Sequence, residues 1–382
     1  MYKLLFYIIT LFLIKNTKSI IQDSNRNVSS INHVFDLARK WQYLGGNRIR
    51  SISGKMVLPY TQRTSFVHFN NKIVGKALVW TELAIGVFAN SEPLIDNKKT
   101  CFEFWRTSEK YTSISKNIPL TWSNDDENLN GFKEDAMYVY KPTIGVGGTG
   151  IVFVEGDEVE EFLETKKGRK WVIQEFVEPF LYDGKKTHFR ALTLAVIRPD
   201  GTRDFFIYDK MRMLLAALNY DRDLLFDKDF MKSPDSHFML ATNLHANMVY
   251  SKIHKNETGV KFDPKKVVLD VETAIGSELY SNYYDKIYDF HSVVFSITGE
   301  HFECKDTDVS IHGDACLYIF ATDIAMGEDG IAYILEMNIN MGLQSWSREE
   351  IRDFSDGAAS LMDLDELPYE ATPSKNWNKL SY

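Results

Sequence analysis

The chain has 382 residues, 44% of them apolar and 13% aromatic, enough for two or three domains with a substantial core. It carries 44 Lys and Arg against 53 Asp and Glu, so a nucleic-acid partner is disfavoured and any basic face must be local. Three cysteines, Cys101, Cys304 and Cys316, are too few and too scattered for a disulfide framework or a zinc centre.

The first nineteen residues place Lys3 before an apolar run, Leu4–Ile14, and a polar stretch that ends at Ser19. This is the layout of a secretory signal peptide, and the run is too short to span a bilayer. No later apolar run reaches spanning length, so no membrane span is expected once the signal is removed. The expected location is the secretory pathway or the exterior if the signal is used, and the cytoplasm or cytoskeleton otherwise. Asn27 and Asn256 begin glycosylation sequons, which have meaning only in the secretory route. Residues 20–130 read as a small N-terminal α/β domain whose first helix spans Asn32–Tyr43. The polar, acidic stretch Ser123–Lys133 reads as its boundary.

Met137–Val154 reads as strand, glycine loop, strand. Gly145, Gly147 and Gly150 match G-x-G-x-x-G, with Gly148 and Thr149 inside the loop. A strand follows the loop instead of a helix, so the pattern is a hairpin able to cover phosphates with backbone N–H groups, not a dinucleotide fold. It is not a Walker A loop, and the HRD and DFG segments of a protein kinase are absent. Lys141, just before the loop, is placed to offer an ammonium to a phosphate. Glu158–Glu164 reads as a short helix. Trp171–Pro179 is a strand in which Gln174, Glu175, Phe176 and Val177 suit a connector that reads an adenine ring through its backbone. Gly184–Ile197 is a loop and a long alternating strand that carries Arg190. A further strand at Phe205–Tyr208 precedes Arg212, and Asn243 is a polar candidate near the cleft. Val267–Ser296 has helical spacing and contains His291, a type more often found satisfied in a core than as a ligand.

Leu317–Ile324 and Ile331–Glu336 read as strands joined by the turn Gly327–Gly330. Glu336 and Asn338 fall on one face of the second strand, and the hairpin can bring Asp323 to that face. Two carboxylates and an amide suit a hard cation that also holds nucleotide phosphates, so these three are the candidate Mg²⁺ ligands. Residues 363–382, acidic and with two prolines, read as a poorly ordered tail.

Taken in order, Tyr140-Lys141-Pro142 with the glycine hairpin, Ile173–Val177, Lys185–Arg190, Thr242-Asn243 and Asp323 with Glu336-Met337-Asn338 resemble the tubulin–tyrosine ligase-like family over about residues 135–345. The resemblance implies an α/β (α+β) ATP-grasp fold: two lobes with antiparallel sheets that clasp ATP, beside the small N-terminal domain. The lobes would be 131–184 and 185–350, followed by a helix and tail at 351–382. It also implies ATP-dependent amide formation, in which a carboxylate becomes an acyl-phosphate and an amine displaces phosphate. ATP and Mg²⁺ would be the cofactors. The partners would be a free amino acid and a protein or peptide acceptor, a tubulin tail among them.

On this sequence the resemblance gives Lys141 to the α/β phosphates, and Gln174–Val177 with Lys186 to the adenine. Gly147, Gly148, Thr149 and Gly150 form the lid, and Asn243 lies near the phosphates. Asp323, Glu336 and Asn338 hold the metal, while Arg190 and Arg212 face the γ-phosphate and the acceptor carboxylate. His188 stands where the family pattern has an acid beside the ribose. A signal peptide is out of place for a modifier of cytosolic tubulin. Alternative readings are a ligase acting on a secreted peptide or small metabolite, and a nucleotide-binding pseudo-ligase.

Overall fold

The structure, a computed structural model, describes residues 97–126, 129, 131–143, 148, 150–197, 201–258, 264–302, 316–338 and 376–381, with isolated positions at 346, 350, 353 and 361. It also describes two short paired strands, β1 (Arg48–Arg50) and β2 (Met56–Pro59). The signal sequence, the helix expected at Asn32–Tyr43, Asn27, Gly145, Gly147, Thr149 and Cys304 lie outside the described residues.

Two antiparallel sheets carry the rest. The smaller has the order β3 (Thr121–Ser123), β6 (Trp171–Glu175), β4 (Met137–Pro142), β5 (Val152–Glu155). Alternation in β4 turns Tyr138 and Tyr140 into a cluster with Trp171, Ile173 and Val154, which helix α2 (Val159–Glu164) covers with Val159 and Leu163. The opposite face of β4 carries Lys141.

The larger sheet is built on β8 (Lys185–Ile197), thirteen residues long. Its first half pairs with β7 (Leu181–Tyr182) and β10 (Arg212–Leu215). Its second half pairs with β9 (Arg203–Tyr208) and β12 (Cys316–Met326). Outside these lie β11 (Val268–Asp270) on β10 and β13 (Ala332–Asn338) on β12. Thr187, Phe189 and Ala191 of β8 point into the main core, all fully buried, while Lys186, His188 and Arg190 alternate to the other face.

Helix α5 (Ser277–Thr298) lies on the core face, burying Tyr283, Ile287, Phe290, Val294 and Phe295 at helical spacing. Phe295 stacks on Phe205 at 4.7 Å between ring centroids. His291 is fully buried there, bonded through Nδ1 to Ile287 O at 2.7 Å and through Nε2 to Thr322 Oγ1 at 3.0 Å. Burial pushes its pKa down to about 4, so it is a neutral core histidine.

Two expectations differ from the structure. The stretch Ser123–Lys133 is not a domain boundary: β3, before it, pairs with β6, after it. Its acids belong to α1 (Lys98–Thr107), where Asp126 Oδ1 holds Arg106 Nη2 at 2.8 Å and Asp125 holds Lys99. Helix α1 in turn buries Cys101, Phe102 and Trp105 in the main core. At the other end, residues 376–381 are ordered where a loose tail was expected. Strand β14 (Trp377–Lys379) pairs with β9, and Trp377 and Leu380 are buried. Two apolar side chains and an edge to pair with outweigh the acidic composition upstream.

Candidate active site

Strand register draws five charged residues into one row. Asp270 of β11 is aligned with Arg212 of β10, Arg212 with Arg190 of β8, Arg190 with Asp323 of β12, and Asp323 with Glu336 of β13. Aligned residues on neighbouring strands share a face, so the row crosses five strands on the side away from α5. Arg190 grips Asp323 with both forks, Nε to Oδ1 at 2.7 Å and Nη2 to Oδ2 at 2.8 Å. Burial disfavours the charge on Asp323, but Arg190 and His188 beside it outweigh burial and hold its carboxyl well below the usual range. Burial likewise opposes the charge on Arg190, and Asp323 more than offsets it, raising the pKa. At the other end of the row Arg212 is 5% exposed. Its Nη1 donates to Asp270 at 3.1 Å, its Nη2 to Glu350, and its guanidinium lies 4.3 Å from the Trp346 ring centre.

The three candidate metal ligands converge as the hairpin reading expects. Asn338 Nδ2 reaches Glu336 Oε1 at 3.1 Å and Asp323 Oδ2 at 3.4 Å. A register shift between Asp323 and Ile324 lets the hairpin bring these side chains together. Glu336 Oε2 is held at 3.0 Å by Lys98 at the start of α1. Among the described residues no three His, Cys, Asp or Glu side chains form a group that could hold a metal ion. Two carboxylates and an amide are donors of the kind Mg²⁺ takes, and here Arg190 and Lys98 engage the two carboxylates.

Two lysines flank the row, Lys141 buried and Lys186 half-buried. Lys141 donates to Gln174 Oε1 and, at 3.5 Å, to Leu335 O, bridging the two sheets. Gln174 is fixed in turn by Nε2 donating to Thr121 Oγ1 at 2.9 Å. Lys186 donates to Leu240 O at 3.0 Å and lies 5.6 Å from the Phe176 ring centre. Burial pushes the pKa of each down to about 8. Each ammonium is thus held in a dry place by neutral carbonyl-type acceptors, an arrangement that favours an anionic ligand.

His188 sits between these features, with Nδ1 hydrogen-bonded to Thr242 Oγ1 and Nε2 3.6 Å from Asp323 Oδ1. Asn243 lies next along. Its Oδ1 accepts from Ala246 N at 2.7 Å, capping α4 (Leu244–Thr258), and its amide nitrogen lies under Gly148 of the glycine loop. Helix α3 (Pro234–Leu240) supplies the Leu240 carbonyl that holds Lys186. Gly148 and Gly150 both have positive φ, +79° each, a conformation glycine adopts without cost.

The connector is only partly free to read a base. Glu175 N donates to Leu120 O at 2.8 Å and Phe176 N to Met137 O at 2.8 Å, so those two donors are engaged within the protein. The Glu175 carboxylate pairs with Lys133 at 3.0 Å, and Phe176 stacks on Tyr220. A cavity of about 380 Å³ opens beside the connector, lined by Glu175, Phe176 and Val177 with Ile118, Leu120 and Tyr333. It touches neither lysine nor the charged row, so it is set apart from the chemistry.

The structure therefore gathers Lys141, Gln174, Lys186, His188, Arg190, Arg212, Asn243, Asp323, Glu336 and Asn338 about one face. Sequence reading missed Lys98, Thr121 and Trp346 as members of it, and named Thr242 only as part of a motif, without its bond to His188. Lys98-Lys99 ahead of an amphipathic helix was a signal for a basic helix start, yet nothing local tied it to Glu336. No curated protein matches the chain. The profile described as "Tubulin-tyrosine ligase family" matches residues 92–348, a span that runs from just before Lys98 to just past Trp346. With two antiparallel sheets flanking the paired lysines and the acidic hairpin, and with that match over two thirds of its length, the chain belongs to the tubulin–tyrosine ligase family and has its ATP-grasp fold.

Proposed function

We propose that the chain is an ATP-dependent carboxylate–amine ligase that adds an amino acid to a protein or peptide acceptor. The observation that carries this reading is the pair of ammonium groups, buried Lys141 and half-buried Lys186, facing a row of charges that ends in Asp323 and Glu336 with Asn338 beside them. Cations held by neutral acceptors suit polyphosphate, and membership of a family of ATP-dependent ligases makes ATP the natural source. Lys141 would bind the inner phosphates, and Lys186 with the Phe176–Val177 backbone would border the base. Gly148 and Gly150 would fold over the phosphates and keep water from an acyl-phosphate.

Asp323, Glu336 and Asn338 would hold Mg²⁺, which when bound neutralises phosphate charge. Lys98, placed at Glu336, would meet the terminal phosphate as it transfers. Arg190, already fixed by Asp323, would present its guanidinium to the same oxygens. The acceptor carboxylate attacks the γ-phosphorus, ADP leaves, and the amine nitrogen then attacks the acyl carbon and expels phosphate. The protein's contribution is positioning and charge stabilisation.

One observation favours an acceptor other than an acidic tubulin tail. Arg212 already holds Asp270 and Glu350, so its guanidinium is engaged within the protein and is a poor receiver for clustered acids. A secreted peptide or small metabolite without clustered acids is the better electrostatic match.

The test is ADP release by the purified chain with Mg·ATP, against free amino acids combined with acidic and neutral peptides, with Glu336→Gln as control. Release that depends on one amino acid and disappears in the control supports a ligase and names its donor. ATP binding without release under any combination would replace the ligase with a nucleotide-binding pseudo-ligase.

A further inference from the structure

We infer that the cavity beside the connector is a second ligand site, shaped for a small organic cation: an ammonium or guanidinium carried on an apolar body. Lys141, Lys186 and Leu240 are not among its walls, so it is distinct from the proposed nucleotide site and does not depend on the ligase reading.

Three segments wall the cavity: residues 115–120, the connector at 175–178, and the tip of the β12–β13 hairpin at 327–333. Each is tied to the other two. Glu175 N donates to Leu120 O at 2.8 Å, and Glu328 N to Glu178 O at 3.0 Å. The buried Asn117 closes the set, its Nδ2 donating to Ala332 O at 2.9 Å. With all three walls joined, the shape of the cavity is fixed before a ligand arrives, which lowers the cost of binding.

The walls have two chemical characters. Ile118 and Pro119, both buried, form an apolar surface with Leu120, Phe176, Val177 and Tyr333. The volume of about 380 Å³ falls in the range of small-molecule sites, about 300–1,000 Å³. Four carboxylates, Glu175, Glu178, Glu328 and Asp329, also line the cavity, and no Lys, Arg or His does.

Two cations outside the wall offset part of that charge. Lys133 pairs with Glu175 at 3.0 Å, and Arg222 reaches Glu178 at 3.4 Å and Glu328 at 3.7 Å. Asp329 instead accepts from two neutral donors, Ile331 N at 2.9 Å and Tyr333 Oη at 2.8 Å. Four acids against two bases leave the wall negative. The apolar surface makes the cavity a site for an organic body, and the carboxylates set the sign of the charge that body must carry. A free amine and the Lys or Arg side chain of a peptide present this same chemistry.

The test is isothermal titration calorimetry of the full chain without nucleotide. The probes are phenethylamine, Nα-acetyl-lysine methylamide, the uncharged 2-phenylethanol and the anionic 3-phenylpropanoate. At least one of the two cations should bind about tenfold tighter than 2-phenylethanol, and 3-phenylpropanoate should not bind. Tighter binding of phenethylamine assigns a free amine, and tighter binding of the lysine amide assigns a side chain. The double variant Glu328→Gln/Asp329→Asn, at two exposed positions, should cut the preference for the cation over 2-phenylethanol about fivefold. Leu120→Arg, at a position 54% exposed, brings a guanidinium to the cavity and should abolish binding of the cation with no change in thermal unfolding. Equal affinity for cation and alcohol would overturn the charge assignment. Cation binding unchanged in both variants would overturn the site, as would no binding of either cation.

Discussion

Asp323→Asn separates the two duties of the acidic hairpin. The carboxylate is a proposed metal ligand, and it is also the counter-charge of Arg190. The exchange keeps the shape of the side chain and removes one negative charge. Arg190, whose side chain is 20% exposed, then faces Arg212 in the adjoining strand with its two hydrogen bonds to a charged acceptor gone. Breaking a buried ion pair by neutralising one partner costs roughly 3–5 kcal/mol, and the partial exposure of Arg190 sets the expected loss near the lower end, about 3 kcal/mol.

Glu336→Gln is the matched comparison. Its side chain is 27% exposed and pairs with Lys98 at 3.0 Å, so its loss should cost no more than about 1 kcal/mol. Equilibrium unfolding in urea without nucleotide, followed by tryptophan fluorescence, measures both, and ADP release measures turnover. Both variants should lose turnover, and only Asp323→Asn should lose stability. Acid sharpens the comparison. The folded carboxyl of Asp323 titrates below its unfolded value of about 3.9, so its contribution is present above that pH and is lost as pH falls below it. The stability gap between wild type and Asp323→Asn should therefore narrow from pH 6 to pH 3. An Asp323→Asn protein as stable as Glu336→Gln at pH 7 would refute the buried-pair account.

Lys141→Met and Lys186→Met remove one buried and one half-buried charge, neither with an acidic hydrogen-bond partner, so each folded protein should be as stable as the wild type or more so, while ATP affinity by calorimetry falls at least tenfold. Both ammonium groups titrate near pH 8 in the free protein, so phosphate binding must take up protons above that pH. Wild-type ATP affinity should hold below pH 8 and decline above it, a trend that Lys141→Met blunts. Gly148→Ala would put a Cβ 2.2 Å from Asn243 Nδ2 at a φ of +79°. The loop must lift, costing about 1–2 kcal/mol and weakening nucleotide binding. Deleting residues 376–382 uncovers the β9 edge and exposes the sites of Trp377 and Leu380, for an expected loss of about 3–5 kcal/mol in urea unfolding.

The sequence shows which candidate residues share a face only where they lie on one strand or one hairpin. Asp323, Glu336 and Asn338 were readable because a period of two and a glycine turn fix which side chains share a face. Lys141 was readable because it closes an alternating strand before a glycine loop. What could not be read was register between distant strands. Nothing local says that Asp270 lies opposite Arg212, or that Lys98 meets Glu336, because those alignments come from how β11 and α1 pack in the finished core. Composition misled in two places. The acids of Ser123–Lys133 looked like a linker, yet Asp125 and Asp126 are the partners of Lys99 and Arg106 on α1. Trp377 and Leu380 are too few to outweigh an acidic tail by composition alone, and suffice once an open strand edge is present.

Strand β8 serves the core with one set of alternate positions and the charged face with the other. A one-residue slip of the whole strand against its neighbours would send Lys186, His188 and Arg190 against α5, with Thr187 and Phe189 facing out. Because β7, β9, β10 and β12 all take their alignment from β8, no neighbour could absorb the slip. The length of this stretch is therefore fixed by its neighbours more tightly than its individual side chains are, and a change of length is expected to be tolerated only in the loops at its ends.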